Sequence, residues 1–256
     1  MTGRLTTMDV LGLKRHIQNY YKALYDGEIS CQVPILSGKD LAGSLGYPLE
    51  LLHFIPDTGW DEFFPCGNPL PFLSPSSGEW VLNLGCGAGI DSLALLATCS
   101  IPLNVVSMDI VMGILEKASR AASRCLPPHL SLPNRTLHWV CADGTDLPFV
   151  PHRFDWIIMN GVFNLFSDKA ALLTELFRVL RPSGHLVVAD LCSKTELPDY
   201  FTNEWDSWAW CMSGACTEER LSMLVKRGGF EQSRMIRENP DDLFYRVVFS
   251  CRKAKV

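Results

Sequence analysis

Three groups of residues in this chain have types and spacing suited to chemistry. The first is Val81-Leu82-Asn83-Leu84 running into Gly85-Cys86-Gly87-Ala88-Gly89. A strand that ends in closely spaced glycines lets backbone N–H groups approach a bound ligand. The third glycine comes one residue earlier than in the GxGxxG dinucleotide fingerprint, and Ile90 takes its place, which favours a ligand without a pyrophosphate. The second group is acidic. Asp109 closes an apolar run 20 residues after Gly89, and Asp143 follows another apolar run. A carboxylate after the second strand of such a unit can accept hydrogen bonds from both ribose hydroxyls. Capping of the following helix is the plain structural alternative.

The third group is cysteine. The chain has ten cysteines and no CxxC pair, which argues against a zinc ribbon or a thioredoxin-type motif. Cys86, Cys99, Cys125, Cys141 and Cys251 read as small buried hydrophobes. Cys66 and Cys211 differ, because each sits in an irregular, glycine-containing segment and not on an apparent strand. The six histidines show no metal-ligand spacing, so no metal site is expected.

These residues need elements to position them. Apolar runs predict strands over Val81–Leu84, Asn104–Met108, Leu137–Cys141, Phe154–Met159 and His185–Ala189. Helical patterns fall between them over Asp91–Ala97, Ile114–Arg124 and Lys169–Leu180. Alternating strands and helices imply a doubly wound, mostly parallel Rossmann-like α/β sheet, and near-continuous apolar strands fit burial on both faces. Residues 9–25 carry one apolar stripe (Val10, Leu13, Ile17, Tyr20, Tyr21, Leu24) and predict a helix. A proline-rich connector follows over 47–78. The expected organisation is an N-terminal cap and connector over 1–78 and a main domain over 79–256. Within the main domain, segment 192–242 faces the substrate. Near the C-terminus, Leu243–Cys251 alternates well enough for a strand in a final antiparallel pair. Trp205, Trp208 and Trp210 read as core packing or as a lid.

Composition narrows the function classes. With 256 residues, 47% hydrophobic, 20% charged and a net charge of −5, the chain is globular and can bury a sizeable core. It has no basic run for nucleic acid or an anionic membrane surface. No apolar stretch approaches the roughly 18 residues of a membrane span, and the first residues lack the apolar core of a signal peptide. A cytoplasmic protein with reduced cysteines is expected.

The joint pattern resembles the class I S-adenosylmethionine-dependent methyltransferases, most strongly over residues 80–191. The matching residues are Gly85-Cys86-Gly87-Ala88-Gly89, Asp109, Ala142-Asp143, Leu147-Pro148-Phe149, Phe154-Asp155 and Phe177 through Gly184. The flanks are similar to the arsenite methyltransferase family. Phe63-Phe64-Pro65-Cys66-Gly67-Asn68-Pro69 resembles its Tyr-Tyr-Gly-Cys-Gly-Ser-Pro, and Asn160-Gly161-Val162-Phe163-Asn164-Leu165 its Asn-Cys-Val-x-Asn-Leu. Cys211-Met212-Ser213-Gly214-Ala215 resembles its Cys-x-Gly-Gly-Ala.

The resemblance implies S-adenosylmethionine as cofactor, bound by Gly85, Cys86, Gly87, Gly89, Asp109, Ile110, Asp143, Gly144 and Asn160. In this reading Asp109 holds the ribose, Asp143 sits by the adenine, and Asn160 lies near the methyl donor. It implies a small-molecule methyl acceptor, with a cellular thiol reductant as an accessory partner. Cys66 and Cys211 match two of three family thiols that hold trivalent arsenic, which is soft and suits thiolates. The third position is Gly161, which has no thiol; Cys31 and Cys216 are the other candidates for it. An organic thiol, amine, hydroxyl or carbon acceptor on the same fold is the alternative. A nicotinamide-dependent dehydrogenase and a catalytically silent binding protein are the readings from other classes.

Overall fold

The computed structural model describes residues 9–29, 38–125, 135–239 and 241–254. Seven strands form one sheet: β1 (Trp80–Leu84), β2 (Asn104–Asp109), β3 (Thr136–Cys141), β4 (Phe154–Asn160), β5 (Leu180–Ser193), β6 (Phe230–Glu238) and β7 (Phe244–Lys253). Their order is β3-β2-β1-β4-β5-β7-β6. Strands β1 to β5 run parallel, and β7 lies antiparallel between β5 and β6. From β1 the chain winds first toward β2 and β3, then returns to place β4 on the other side. That reversal opens a crevice beyond the carboxyl ends of β1 and β4, where open α/β sheets bind ligands.

The helices are α1 (Val10–Tyr25), α2 (Gly38–Ser44), α3 (Asp57–Asp61), α4 (Ile90–Thr98), α5 (Met112–Cys125), α6 (Lys169–Val179), α7 (Asp199–Thr202), α8 (Trp205–Ala209) and α9 (Glu218–Arg227). One face of the sheet packs Leu82, Leu84, Met108 and Ile157 against Leu172 and Leu176 of α6 and Leu221 of α9. The other packs Val81, Val105 and Ile158 against Leu95 and Leu96 of α4. A third cluster joins Tyr47, Leu52, Trp60 and Phe63 to Ile90, Leu93 and Ile114. The connector is thereby built onto α4 and α5. Each large apolar side chain buried in this way contributes about 1.5–3 kcal/mol.

The strands are less purely apolar than their sequence suggests. Asn83 and Ser107 are buried in β1 and β2, and both reach Ser92 Oγ on α4, at 2.9 and 2.7 Å. Strand β5 begins at Leu180, not at His185. Leu180 pairs with Phe154 and His185 with Trp156, so residues 181–184 bulge out of the ladder. Pro182 has no N–H to give a ladder, which suits a bulge. Strand β6 lacks alternation because it is an exposed edge carrying Arg234 and Arg237, charges that discourage edge pairing. Helices α2, α3, α7 and α8 are too short for periodicity to reveal them. Among the described residues no helix is long and apolar enough to cross a membrane.

Candidate active site

The glycine segment turns from β1 into α4. Gly85 has φ +72°, and a Cβ there would lie 2.5 Å from Val162 Cγ2, so only glycine fits between the two strand ends. The Gly87 N–H donates to Asp109 Oδ2 at 2.9 Å, and the Val111 N–H donates to Oδ1 at 3.0 Å. Asp109 therefore braces the loop and caps the start of the next turn at once. Burial pushes its pKa up, and the N–H groups of Val111, Gly87 and Ile110 pull it back. With these three donors in place the carboxylate keeps one acceptor position for a ligand hydroxyl.

A cavity of about 180 Å³ lies above this loop. It is lined by Gly85, Cys86, Gly87, Asp109, Ile110, Asp143, Gly144, Asn160 and Gly161 from the sheet side, and by Leu13, Lys14, Ile17, Tyr21 and Tyr25 from α1. Gly89 lies behind it as the left-handed N-cap of α4. Asp143 Oδ1 accepts from the Thr145 N–H at 3.0 Å, and Asp143 also pairs with the Lys14 ammonium. Helix α1 is thus fastened across the mouth. Its inner face packs Leu13 and Ile17 on Trp208, and the Tyr21 hydroxyl donates to Ala209 O at 2.8 Å. Apolar walls, a carboxylate with an open acceptor position and a glycine turn fit an adenosine-bearing cofactor.

Asn160 lines the same cavity, but its amide is already committed. Its Oδ1 accepts from the Cys66 N–H at 2.9 Å. Its Nδ2 lies 3.0 Å from both the Tyr47 hydroxyl and Gly67 O, and 3.1 Å from Asp91 Oδ2. The Tyr47 hydroxyl also donates to Asp91 Oδ1 at 2.5 Å. Burial raises the Asp91 carboxyl to about 6, although hydrogen bonds from Tyr47 and Asn160 oppose the rise. Asn160 therefore acts as a clamp on the Cys66-Gly67 segment.

That clamp delivers Cys66 to Cys211. Their sulfurs and one Asp190 carboxylate oxygen all lie within 4.8 Å of one another. Cys211 has φ +62°, a left-handed backbone that turns the chain directly after α8, and its thiol donates to Gly161 O at 3.2 Å. The neighbouring Cys66 thiol and burial push the Cys211 thiol well above its ordinary range. Asp190 is 2% exposed and its pKa is raised by burial, against hydrogen bonds from the N–H groups of Asn164 and Leu191. The buried Lys169 supplies the nearby positive charge that part-balances this cluster. Gly161 stands beside the pair. It has φ +67°, and a Cβ there would sit 3.4 Å from Cys66 Sγ and 3.2 Å from Phe64 O. A side chain at 161 would stand beside the pair, at the cost of a strained backbone.

Aromatic side chains surround the thiols. Phe64 meets Trp210 edge-on at 6.0 Å, and Tyr20 meets Trp210 at 5.8 Å. Phe64 walls the nucleotide-side cavity and also a second cavity of about 330 Å³, which holds Cys66, Leu191, Trp210 and Arg246. Cys86, Cys192, Cys216 and Cys251 are buried, whereas Cys99 is half-buried and Cys141 is exposed, against the expectation that both are core residues. Position 141 faces outward from β3, an edge strand. Cys31 lies outside the described residues.

Sequence reasoning missed Asp190, Lys169, Tyr47 and Asp91. Asp190 had a usable signal. It is the first acid after the apolar run Leu186–Ala189, the same rule that picked out Asp109. Tyr47 and Asp91 had none, because their roles exist only through Asn160.

Residues 75–229 match the family model described as a methyltransferase domain. The chain belongs to this methyltransferase family. Its fold is that of class I methyltransferases, whose methyl donor is S-adenosylmethionine. An arsenite methyltransferase of Halobacterium salinarum is 28% identical over 187 residues, which are 73% of this chain and 46% of that protein. A demethylmenaquinone methyltransferase of Clavibacter sepedonicus is 34% identical over 119 residues, 46% of this chain and 43% of that protein. The crystal structure of an arsenic(III) S-adenosylmethionine methyltransferase from Chlamydomonas reinhardtii superposes with a TM-score of 0.67 at 24% identity, covering 81% of this chain and 73% of that one. The chain spans about half the length of the curated relatives it matches.

Proposed function

We propose that this chain is an S-adenosylmethionine-dependent methyltransferase whose acceptor is a trivalent arsenical held by the thiolates of Cys66 and Cys211. The carrying observation is the meeting of two thiols, 145 residues apart in sequence, within 4.8 Å of each other and directly behind Gly161 of the cofactor cavity. Bound S-adenosylmethionine supplies an electrophilic methyl on a sulfonium. In this reading Asp109 and the glycine turn orient the cofactor, and α1 keeps water out of the cavity. Cys66 and Cys211 hold arsenic with its lone pair free to attack, and placement does most of the catalytic work. A thiol reductant and a reducing compartment such as the cytoplasm suit the free thiols of Cys66 and Cys211.

An organic acceptor is the second reading, favoured by the loss of the third thiol at Gly161. The deciding experiment incubates the protein with S-adenosylmethionine, a phosphine reductant, and arsenite or methylarsenite, and measures methylated arsenic. Methylated arsenic is the expected product. Cys66→Ser and Cys211→Ser should each lower arsenical affinity by at least about 100-fold, more than the 10–100-fold typical of groups one layer out from a ligand. Unchanged arsenical binding in both serine variants would leave the organic acceptor as the better reading.

A further inference from the structure

We infer that Asp190 takes the place of the missing third thiol, by accepting a hydrogen bond from a hydroxyl that stays on arsenic, and so selects inorganic arsenite over organoarsenicals. This rests on the arsenical reading above and adds the identity of the third arm.

The argument begins with the carboxylate's acceptor positions. An ionised carboxylate offers about four. Oδ1 accepts from Asn164 Nδ2 at 2.9 Å and from the Leu191 N–H at 2.8 Å, and Oδ2 accepts from the Asn164 N–H at 3.0 Å. One position remains, on a side chain that is 2% exposed. The carboxylate stands within 4.8 Å of both sulfurs, and in the free protein the Cys211 thiol donates to Gly161 O.

Arsenical binding removes that thiol proton. Arsenite is As(OH)3. Two thiols attack, two As–O bonds break and two As–S bonds form. Each thiol proton leaves with a displaced hydroxide as water, and arsenic stays trivalent, so no oxidant or reductant is consumed. One hydroxyl remains on arsenic. Asp190 keeps its one open acceptor position at that corner. The retained As–OH supplies the donor, in a charge-assisted O–H···O⁻ bond. A monosubstituted arsenical exchanges both of its hydroxyls for sulfur and turns a carbon toward Asp190, which leaves the carboxylate unmet. At the same corner Gly161 offers no side chain.

Arsenic K-edge absorption of the wild-type protein loaded with sodium arsenite, in a phosphine reductant, tests the geometry without turnover. Two sulfur neighbours and one oxygen are expected; three sulfurs would overturn the assignment. Titration with arsenite and with phenylarsine oxide, which carries no third hydroxyl, tests the selectivity. Asp190→Asn should weaken arsenite by at least about tenfold, the worth of one hydrogen bond to a charged group, and change phenylarsine oxide by about twofold or less. An asparagine amide would face the N–H groups of Asn164 or Leu191 and could unfold the chain, so the wild-type ratio provides a second measurement. Relative to phenylarsine oxide, the protein should favour arsenite at least about tenfold more than dithiothreitol does. A ratio equal to that of dithiothreitol, with both arsenicals bound through Cys66 and Cys211, overturns the role of Asp190 alone. Failure of both arsenicals to bind the wild-type protein overturns the arsenical reading and this one with it.

Discussion

The cofactor cavity and the thiol cluster share Phe64 as a wall and Gly161 as a floor, yet they are assembled in different ways. The cavity is roofed by α1 and floored by strand ends, where Asp109, Asp143 and Asn160 each follow an apolar run. Its key acceptor, Asp109, is braced by N–H groups two residues downstream and two residues before Gly89. The thiol cluster gathers residues from a connector, from within β5 and from a turn after α8. It depends on long-range hydrogen bonds such as Asn160 to Cys66, 94 residues apart. The cavity is local architecture repeated around the sheet, whereas the cluster depends on a few buried polar contacts. Perturbations should therefore separate the two.

The largest separation is expected from Asp109→Ala. It removes charge-assisted hydrogen bonds worth about 1.5–3 kcal/mol each, so affinity for S-adenosylhomocysteine should drop by about tenfold to a hundredfold in calorimetric titration. Arsenical affinity should hold. Equal losses on both sides would mean that the two sites are not separable.

Asn160→Ala acts the other way. It strands the Cys66 N–H and removes a donor from Asp91, at about 1–3 kcal/mol for each buried group left unmet. The melting temperature should fall, and arsenical affinity should fall by about tenfold as Cys66 drifts. Cofactor affinity should change less than arsenical affinity. If the cofactor suffers more, Asn160 is a cofactor ligand and not a clamp.

Acidity should sharpen the contrast through rates. The Cys211 thiol is held well above its ordinary range, by the Cys66 thiol first and by burial second, so it is protonated near neutral pH. The attacking species is the thiolate, whose fraction rises about tenfold per pH unit below the thiol pKa. Arsenical association, followed by stopped-flow tryptophan fluorescence, should therefore speed up about tenfold per unit between about pH 6 and 8. The equilibrium affinity should stay nearly flat over the same window, because each thiol proton leaves as water. A flat association rate would point to a step other than thiolate attack.

The smallest effect belongs to Lys14→Ala. Its ammonium and Asp143 are 36% and 31% exposed, and exposed pairs contribute about 0–1 kcal/mol. Cofactor affinity should weaken by about fivefold at most, with the loss shrinking in high salt. A larger, salt-insensitive loss would give α1 a deeper role in closure.

Asp190 shows how far a sequence rule can go when it is applied only in part. The rule that marks an acid at the end of an apolar run found Asp109 and Asp143. It would have found Asp190 at the end of Leu186–Ala189, yet it could not have told the cofactor side from the acceptor side. Asn160 was legible as a site residue at the end of β4, but its task was not. Its amide meets Tyr47, Gly67, Asp91 and Cys66, none of which lies near it in sequence.

The winding of the sheet, the glycine turn and the acid that closes β2 were legible in the sequence. Hydrophobic period and local turn chemistry act over a few residues, and those are written directly in the chain. Only the tertiary structure decided that Cys66, Cys211 and Asp190 share one buried corner, and that Gly161 leaves that corner open. Those contacts join irregular segments, whose path is set by sparse long-range hydrogen bonds and packing on α4. No short-range pattern encodes where such segments meet.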